Sequence, residues 1–203
     1  RARGLGGVYR RRVTRRDFVA RASSETQRLE ALITDILFLS ELEATSGTPS
    51  SERSDLAEAA EISARELEEL GAEHGVGLTL DVAGPAWVPL TQTMARTVVR
   101  NLMENAVKYA GPGATATVTV RRAEGSVLLV VSDDGAGIPE RHLPHIFERF
   151  YRADPSRSKR LGGTGLGLSI VKHIAERFGG TATATSREGF GTTATVTLPE
   201  ADA

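Results

Sequence analysis

The spacing of apolar positions predicts a long amphipathic helix near the start of the chain. Between Glu25 and Ala44, leucines and isoleucines recur every three or four residues, which places them along one side of a helix. This apolar stripe is wide for a lone surface helix, so we expect partner helices in the same chain or in another one. A Ser, Thr, Gly and Pro cluster at Thr45–Ser51 then predicts a linker.

Beyond the linker, the pattern changes to an alternation of helices and strands. Ser54 is a suitable N-cap for a helix over Asp55–Leu70, and two further helices are predicted at Thr91–Tyr109 and Gly165–Phe178. Period-two alternation predicts five strands: Leu78–Val82, Ala114–Arg122, Ser126–Ser132, Thr181–Ser186 and Thr192–Leu198. These elements predict an α+β fold, a two-layer α/β sandwich with a mixed sheet on one side and helices on the other.

One connection between these elements is unusually long. The 31 residues of Asp133–Gly163 show no sustained periodicity except a short helical piece around Leu143–Tyr151. Connections in compact domains usually have about 4–6 residues. The length therefore predicts a functional loop.

Composition narrows the class of protein. The sequence is 40% hydrophobic and 25% charged, which is ordinary for a globular protein. Its length of 203 residues indicates one full domain and a smaller second part. A net charge of −1 and only 5% aromatic residues argue against nucleic-acid binding. The sequence has no cysteine, which excludes disulfides and thiolate chemistry. No apolar run has the roughly 18 residues of a membrane span, so we expect a soluble, intracellular protein.

Positive charge is concentrated at the N-terminus. Residues 1–28 contain nine arginines and two acidic residues, a net charge of +7, and the remaining residues carry −8. Such a segment is either the solvated start of a helix or a juxtamembrane segment on the cytoplasmic side of a membrane.

Three short motifs suggest chemistry. Asn101, Asn105 and Lys108 have the spacing i, i+4 and i+7, so they project from one helix face. Two amide oxygens and an ammonium group suit a metal ion with bound phosphate, in particular Mg²⁺. An exposed polar helix face is the alternative explanation.

The second motif is the acid and glycine run that follows the strand Ser126–Ser132. Asp133 lies where the strand ends, and a fixed carboxylate there can accept a hydrogen bond from an exocyclic amine such as that of adenine. Gly135 and Gly137 let the backbone approach a ligand. A simple Asp-Gly turn would have the same sequence.

The third motif is the glycine-rich run Leu161–Lys172, which surrounds a predicted helix start. Free N–H groups and the positive helix end favour phosphate there, although a flexible hinge is also compatible. The run differs from a Walker A loop and from a dinucleotide fingerprint.

In their order and spacing, these motifs resemble the ATP-binding catalytic domain of sensor histidine kinases, which have the Bergerat fold of the gyrase, Hsp90 and MutL ATPase superfamily. The similarity covers about Asp55–Pro199, and Glu25–Ala44 resembles the second helix of the dimerisation hairpin. The matching segments are Asn101–Tyr109 (N box), Asp133–Ile138 (first glycine box), Ile146–Arg152 (F box), Gly163–Gly167 (second glycine box) and Gly189–Thr193.

The resemblance implies a role for individual residues. Glu104 is expected to polarise water or the acceptor, Asn105 to bind Mg²⁺ and Asp133 to bind adenine. Two phenylalanines, Phe147 and Phe150, are expected to anchor a mobile lid. The lid cations Arg152, Arg157, Lys159 and Arg160 would either reach the triphosphate or lie in solvent. The further residues expected to bind nucleotide are Asn101, Lys108, Tyr109, Gly135, Gly137, Ile138, Gly163, Thr164, Gly165, Leu166, Gly167, Leu168 and Thr193.

The resemblance also implies an activity. ATP and Mg²⁺ would be the cofactors, and the γ-phosphate would pass to a histidine of the dimerisation helix and then to an aspartate of a response-regulator receiver domain. The protein would be a homodimer through its helical segment, in the cytoplasmic part of a bacterial inner-membrane protein anchored by an upstream segment. The alternatives are an ATP-binding sensor module without phosphotransfer and a serine kinase of the anti-sigma type.

The sequence departs from this family at the phosphoacceptor. Phe18–Ser23 resembles the usual lead-in to the histidine, but Ser24 follows and the chain continues as the second helix. We expect that a helix and its turn are deleted or missing here, with a natural variant as the less favoured explanation. The four histidines, His74, His142, His145 and His173, lie in segments that do not replace it.

The expected organisation follows from these matches. Residues 1–23 are a basic juxtamembrane segment and the start of the first dimerisation helix, and residues 24–46 are the second helix. Residues 47–54 form a linker, and residues 55–200 form the ATP-binding catalytic domain.

Overall fold

A computed structural model describes residues 15–44, 52–154 and 161–202. Within these ranges, its helices are α1 (Arg15–Ala44), α2 (Leu56–His74), α3 (Gln92–Ala110), α4 (Gly167–Arg177) and a 3₁₀ helix (Glu140–His145). Its strands are β1 (Ser54–Asp55), β2 (Gly77–Val82), β3 (Trp87–Val88), β4 (Thr115–Ala123), β5 (Ser126–Asp133), β6 (Thr181–Arg187) and β7 (Gly191–Pro199).

The main sheet has five strands in the order β2-β4-β5-β7-β6. Strands β2 and β4 are parallel, and the other neighbours are antiparallel. Buried side chains such as Val118, Leu129 and Val196 alternate along the strands and lie on the face that α2, α3 and α4 cover. The predicted α+β two-layer sandwich is therefore confirmed.

The carboxylate of Asp55 joins α2 to the small β1–β3 ribbon. Its Oδ1 accepts hydrogen bonds from the N–H groups of Ala57 at 2.9 Å and Ala86 at 2.8 Å. Asp55 is thus the N-cap of α2, and the prediction of Ser54 was wrong by one residue because Ser54 pairs with Val88 in β1. Strands of two residues are too short to show a period in the sequence.

Two helix predictions also differ from the structure. Helix α1 begins at Arg15 instead of Glu25 and continues through Ser23 and Ser24, because no Gly or Pro interrupts residues 15–44. The helical piece predicted at Leu143–Tyr151 is instead the 3₁₀ helix at Glu140–His145, which contains Pro144. The linker predicted at Thr45–Ser51 and the first 14 residues lie outside the described ranges.

The C-terminal half of α1 packs on the α/β sandwich. Leu39 and Leu42 are buried, and the Arg177 guanidinium donates a hydrogen bond to the carbonyl of Leu42. Glu43 forms an ion pair with Arg149. A second apolar side of α1 stays exposed, so only part of the predicted stripe has a partner within this chain.

Within the described ranges, none of the helices has the length and apolar character needed to cross a bilayer.

Candidate functional site

Helix α3 contributes the polar face that the sequence predicted. Asn101 donates a hydrogen bond from Nδ2 to the carbonyl of Thr97 at 2.9 Å, which orients its amide group. The Oδ1 atom then lies against the start of α4, since a Cβ at Gly167 would come within 2.3 Å of it. Glycine at position 167 therefore allows the close approach of these two helices.

Asn105 and Lys108 lie along the same face of α3. The carboxamide of Asn105 is half-buried and has no hydrogen-bond partner in the described part of the chain. Lys108 donates from Nζ to Glu104 Oε2 at 2.5 Å, and Arg100 Nε donates to the other oxygen of Glu104 at 2.8 Å. A free amide oxygen thus lies beside a fixed ammonium group.

Lys108 and Arg100 also lower the pKa of the Glu104 carboxyl. Burial alone would raise the pKa of this carboxyl, but the hydrogen bonds and charges of Lys108 and Arg100 outweigh burial and lower the pKa. Glu104 is therefore a carboxylate in the neutral pH range, as its predicted role requires.

Asp133 ends β5 and is held by backbone donors. Its Oδ1 accepts the N–H of Gly135 at 3.0 Å, and the N–H of Thr192 is a second donor to the carboxylate. Burial raises the pKa of Asp133, and these two donors partly oppose the increase. The half-buried carboxylate is fixed in position at the end of the central strand β5.

The loop after Asp133 is attached on both sides. Ala136 N–H donates to the carbonyl of Ala110 at the end of α3, and Ala136 accepts from the N–H of Gly189, both at 2.8 Å. Ile138 N–H donates to Ser186 Oγ at 2.8 Å. The loop therefore connects α3 to the β6–β7 hairpin.

Three glycines make these contacts possible. A Cβ at Gly135 would lie 2.4 Å from the Ala110 backbone, and one at Gly137 would lie 2.2 Å from the carbonyl oxygen of Arg187. A Cβ at Gly191 would lie 1.8 Å from the carbonyl oxygen of Asp133. Any other residue would push these segments apart.

The second glycine box leads into α4. The Thr164 hydroxyl accepts the N–H of Leu166 at 3.2 Å, and no side chain caps the helix start after Leu166. Within the described residues, the first N–H groups of α4, including those of Gly167 and Leu168, have no side-chain cap and could bind an anion. Arg152 donates to the carbonyl of Thr164 at 3.0 Å.

The F box lies beside this turn. Phe150 has a φ of 63°, and its N–H donates to the carbonyl of Gly165 at 2.8 Å. Phe150 is 59% exposed, whereas Phe147 is half-buried. Phe147 therefore fits the predicted role of a lid anchor better than Phe150 does.

Most of the predicted site residues come together between α3, the Asp133 loop and the start of α4. Tyr109 is half-buried in the last turn of α3, and Gly163 lies in the turn before α4. Thr193 is an exception, because it follows the alternation of β7 onto the sheet face that the helices leave uncovered. Arg157, Lys159 and Arg160 lie outside the described residues.

Sequence reasoning missed three residues at this site. Thr192, next to the predicted Thr193, contacts both Asp133 and Ser186. The alternation of side chains between the two faces of strand β7 is the sequence signal that distinguishes these two threonines. Ser186 Oγ also donates to the carbonyl of Gly191 at 2.7 Å. The third is Asp35 of α1, which accepts a hydrogen bond from Thr164 at 2.8 Å, and no local sequence signal indicates this contact.

The two histidines of the 3₁₀ helix are hydrogen-bonded to neighbouring side chains. His142 Nδ1 lies 2.7 Å from the Tyr151 hydroxyl, and His145 Nδ1 lies 2.7 Å from Glu148 Oε1. Among the described residues, no three His, Cys, Asp or Glu side chains form a cluster that could hold a metal ion.

Comparisons with known proteins place this site in a family. The family model described as histidine kinase-, DNA gyrase B-, and HSP90-like ATPase matches residues 91–202. The sensor-like histidine kinase SenX3 of Mycolicibacterium smegmatis is 30% identical over 187 residues, 92% of this chain and 49% of SenX3. The sensor histidine kinase WalK of Bacillus subtilis is 33% identical over 184 residues, 90% of this chain and 30% of WalK. The chain thus spans half or less of the length of these relatives.

Solved structures show the same fold. Full-length ShkA in complex with AMPPNP matches with a TM-score of 0.77 and 25% identity, over 93% of this chain and 39% of ShkA. The mycobacterial sensor histidine kinase MprB matches with a TM-score of 0.64 and 27% identity, over 75% of this chain and 99% of that structure. The ShkA match includes α1 as well as the sandwich.

A pair of glycine substitutions tests whether close packing shapes the loop. Gly137 and Gly189 have similar φ values, 67° and 78°, but a Cβ would meet nothing within 4 Å at Gly189. Both Gly137→Ala and Gly189→Ala should lose about 1–2 kcal/mol of unfolding free energy from the left-handed backbone. Gly137→Ala should lose about 2 kcal/mol more because of overpacking, measured by urea unfolding. Equal losses would contradict this explanation.

Proposed function

Because this chain belongs to the histidine kinase-, DNA gyrase B-, and HSP90-like ATPase family, we propose that it is the ATP-binding and phosphotransfer part of a sensor histidine kinase. The main support is that helix α3, the Asp133 loop and the uncapped start of α4 lie around one site. The names of the similar proteins, sensor histidine kinases with this domain, support the same proposal.

Asp133 is the proposed adenine-binding residue. Two backbone N–H groups hold its carboxylate at the end of β5, and the neighbouring backbone is free of side chains at Gly135 and Gly137. An ionised carboxylate accepts a hydrogen bond from the exocyclic amine of adenine, which guanine lacks at that position. This geometry therefore favours ATP over GTP.

The residues on α3 fit a magnesium ion between phosphates. Asn105 has a neutral amide oxygen without a hydrogen-bond partner among the described residues, and this is the kind of hard ligand that Mg²⁺ uses in small numbers beside water and phosphate oxygens. The ion would supply charge neutralisation at the phosphate oxygens. Lys108 would supply a positive charge that Glu104 already holds in place.

Phosphoryl transfer requires mostly positioning and charge stabilisation from the protein. The N–H groups at the start of α4 would bind phosphate oxygens opposite α3, with Asn101 packed against Gly167 to fix the distance between the two helices. Glu104, ionised and adjacent to Asn105, would orient the acceptor group. None of the four histidines lies in α1, so the proposed acceptor is a histidine of a dimerisation helix that this sequence does not contain.

The acceptor would then pass the phosphoryl group to an aspartate of a response-regulator receiver domain. The basic stretch at residues 1–28 and the sensor-kinase names of the relatives support attachment to a membrane through an upstream segment.

A transfer experiment tests the site and the activity together. With Mg²⁺ and ATP, the chain should add one acid-labile phosphoryl group to a separately supplied histidine-bearing hairpin of WalK, detected by intact mass. Asn105→Ala should lose this transfer and bind Mg²⁺–ATP about tenfold more weakly, since a metal ligand is removed, while ATP binding in EDTA changes little.

Gln92→Ala is the matched control, because it removes an exposed carboxamide from the start of the same helix. ATP binding without transfer in the unmodified chain would favour the sensor-module alternative. Normal Mg²⁺–ATP affinity in Asn105→Ala would refute the assignment of the metal ligand.

We also propose that the exposed side of α1 is the contact with a second copy of the chain. Leu29, Ile33, Ile36 and Leu37 follow helical spacing on this side, and each is 49% to 59% exposed. An apolar face of this length on a 30-residue helix is typical of helix pairing. The opposite side, with Leu39 and Leu42, already packs within the chain.

The oligomeric state tests this contact. The chain should sediment as a dimer, and Ile36→Asp should sediment as a monomer because a charge would be buried in the contact. Leu80→Asp is the control, since Leu80 is 41% exposed and lies on β2. A monomeric unmodified chain, or a dimer that persists in Ile36→Asp, would contradict the proposal.

A further inference from the structure

A run of charged side chains connects helix α2 to the candidate site. Glu66 on α2 forms ion pairs with Arg96 and Arg100 on α3, and Arg100 also binds Glu104. Glu104 in turn binds Lys108. The candidate site therefore continues, through direct hydrogen bonds between side chains, to a second helix.

Arg100 joins two carboxylates with one guanidinium group. Its Nε donates to Glu104 Oε1 at 2.8 Å, and its Nη1 donates to Glu66 Oε2 at 3.1 Å. A guanidinium group is planar and its donors point in fixed directions, so acceptors at two of its nitrogens determine its orientation. An arginine with only one of these partners would keep more of its rotamers. Glu66 thus holds Arg100 in the orientation in which it reaches Glu104.

Glu104 is held from both directions along α3. Arg100 lies one turn before it and binds Oε1, and Lys108 lies one turn after it and binds Oε2 at 2.5 Å. The proposed function assigns Lys108 to the phosphates and Glu104 to the acceptor group. When Lys108 binds phosphate, Arg100 is the partner that still fixes the carboxylate.

The core fixes the backbone that carries these charges, whereas the side chains are only partly buried. Leu67, next to Glu66, is buried in α2, and Met103 is buried next to Glu104 in α3. The side chain of Glu104 is 23% exposed and that of Arg100 is 51% exposed. Because partly exposed ion pairs contribute little each, losing one should change a rate only a few-fold.

We propose that Arg100 is a positioning residue for Glu104, and that Glu66 acts through Arg100 in the same role. The two residues fix the orientation of the carboxylate that meets the acceptor. This inference rests on the proposed function, which assigns Glu104 to the acceptor. It predicts a lower transfer rate at an unchanged nucleotide affinity, a combination that a general loosening of the fold would not produce.

Single-turnover transfer to the histidine-bearing hairpin of WalK tests the role of Arg100. Arg100→Gln should lower the transfer rate about fivefold, as expected for a partly exposed charge pair, and leave the Mg²⁺–ATP dissociation constant within about twofold. Arg96→Gln is the matched control, because Arg96 pairs with the same Glu66 but lies two turns from Glu104 on α3. Its transfer rate and its affinity should both stay within about twofold of the unmodified chain.

A double-mutant cycle tests whether Glu66 acts through Arg100. Glu66→Gln keeps the length of the side chain and removes its charge, so it should lower the transfer rate about threefold when Arg100 is present. Combined with Arg100→Gln, it should cause no further loss, because the side chain through which Glu66 acts is absent. A separate structural contribution of Glu66 would lower the rate by the same factor in both backgrounds.

The Nε–H signal of Arg100 provides a readout that does not depend on activity. In the ¹⁵N-labelled chain, Glu66→Gln should speed the exchange of this N–H with water, because the guanidinium group then leaves Glu104 more often. Arg96→Gln should leave its exchange rate unchanged.

Three results overturn the role of Arg100 while the proposed function stands: equal transfer rates of the unmodified chain and Arg100→Gln, equal losses in Arg100→Gln and Arg96→Gln, or a parallel loss of Mg²⁺–ATP affinity in Arg100→Gln. Equal factors for Glu66→Gln in both backgrounds overturn the role of Glu66. Absence of transfer from the unmodified chain refutes the proposed phosphotransfer itself, and the positioning role with it.

Discussion

The candidate site depends on backbone segments that pass each other more closely than a side chain would permit. Gly135 lies against Ala110, Gly137 against Arg187, and Gly191 against Asp133. These contacts bring the end of α3, the loop after β5 and the β6–β7 hairpin to one place, where Asp133 receives two backbone donors. The position of the carboxylate follows from this packing.

Helix α3 packs into the core with one face and carries the polar side chains of the candidate site on the next face. Val98, Leu102 and Met103 are buried between α3 and its neighbours, while Asn101 and Asn105 lie on the adjacent polar face. A buried helix moves little, so the amide groups keep a fixed distance from the sheet and from α4. This arrangement suits a reaction in which the protein contributes mostly position and charge.

Much of the fold and the site could be predicted from the sequence, because both depend on local patterns. Helical spacing placed α2, α3 and α4, and the spacing of the motifs identified the family. Contacts between distant segments could not be predicted in this way. The register of β7 places Thr192 at the site instead of Thr193, and the hydrogen bond between Asp35 and Thr164 joins two segments that are far apart in sequence. The continuous α1 was missed because the family pattern suggested a break at Ser24.

The central claim is that α3, the Asp133 loop and the start of α4 bind one nucleotide. The most direct measurement is a titration of the ¹⁵N-labelled chain with Mg²⁺ and a non-hydrolysable ATP analogue, followed by amide NMR shifts. The account predicts the largest shifts at residues 101–109, 133–138 and 163–168, with little change at Thr117 and Thr195 on the uncovered sheet face. Shifts concentrated on that sheet face, or none at millimolar analogue, would contradict it.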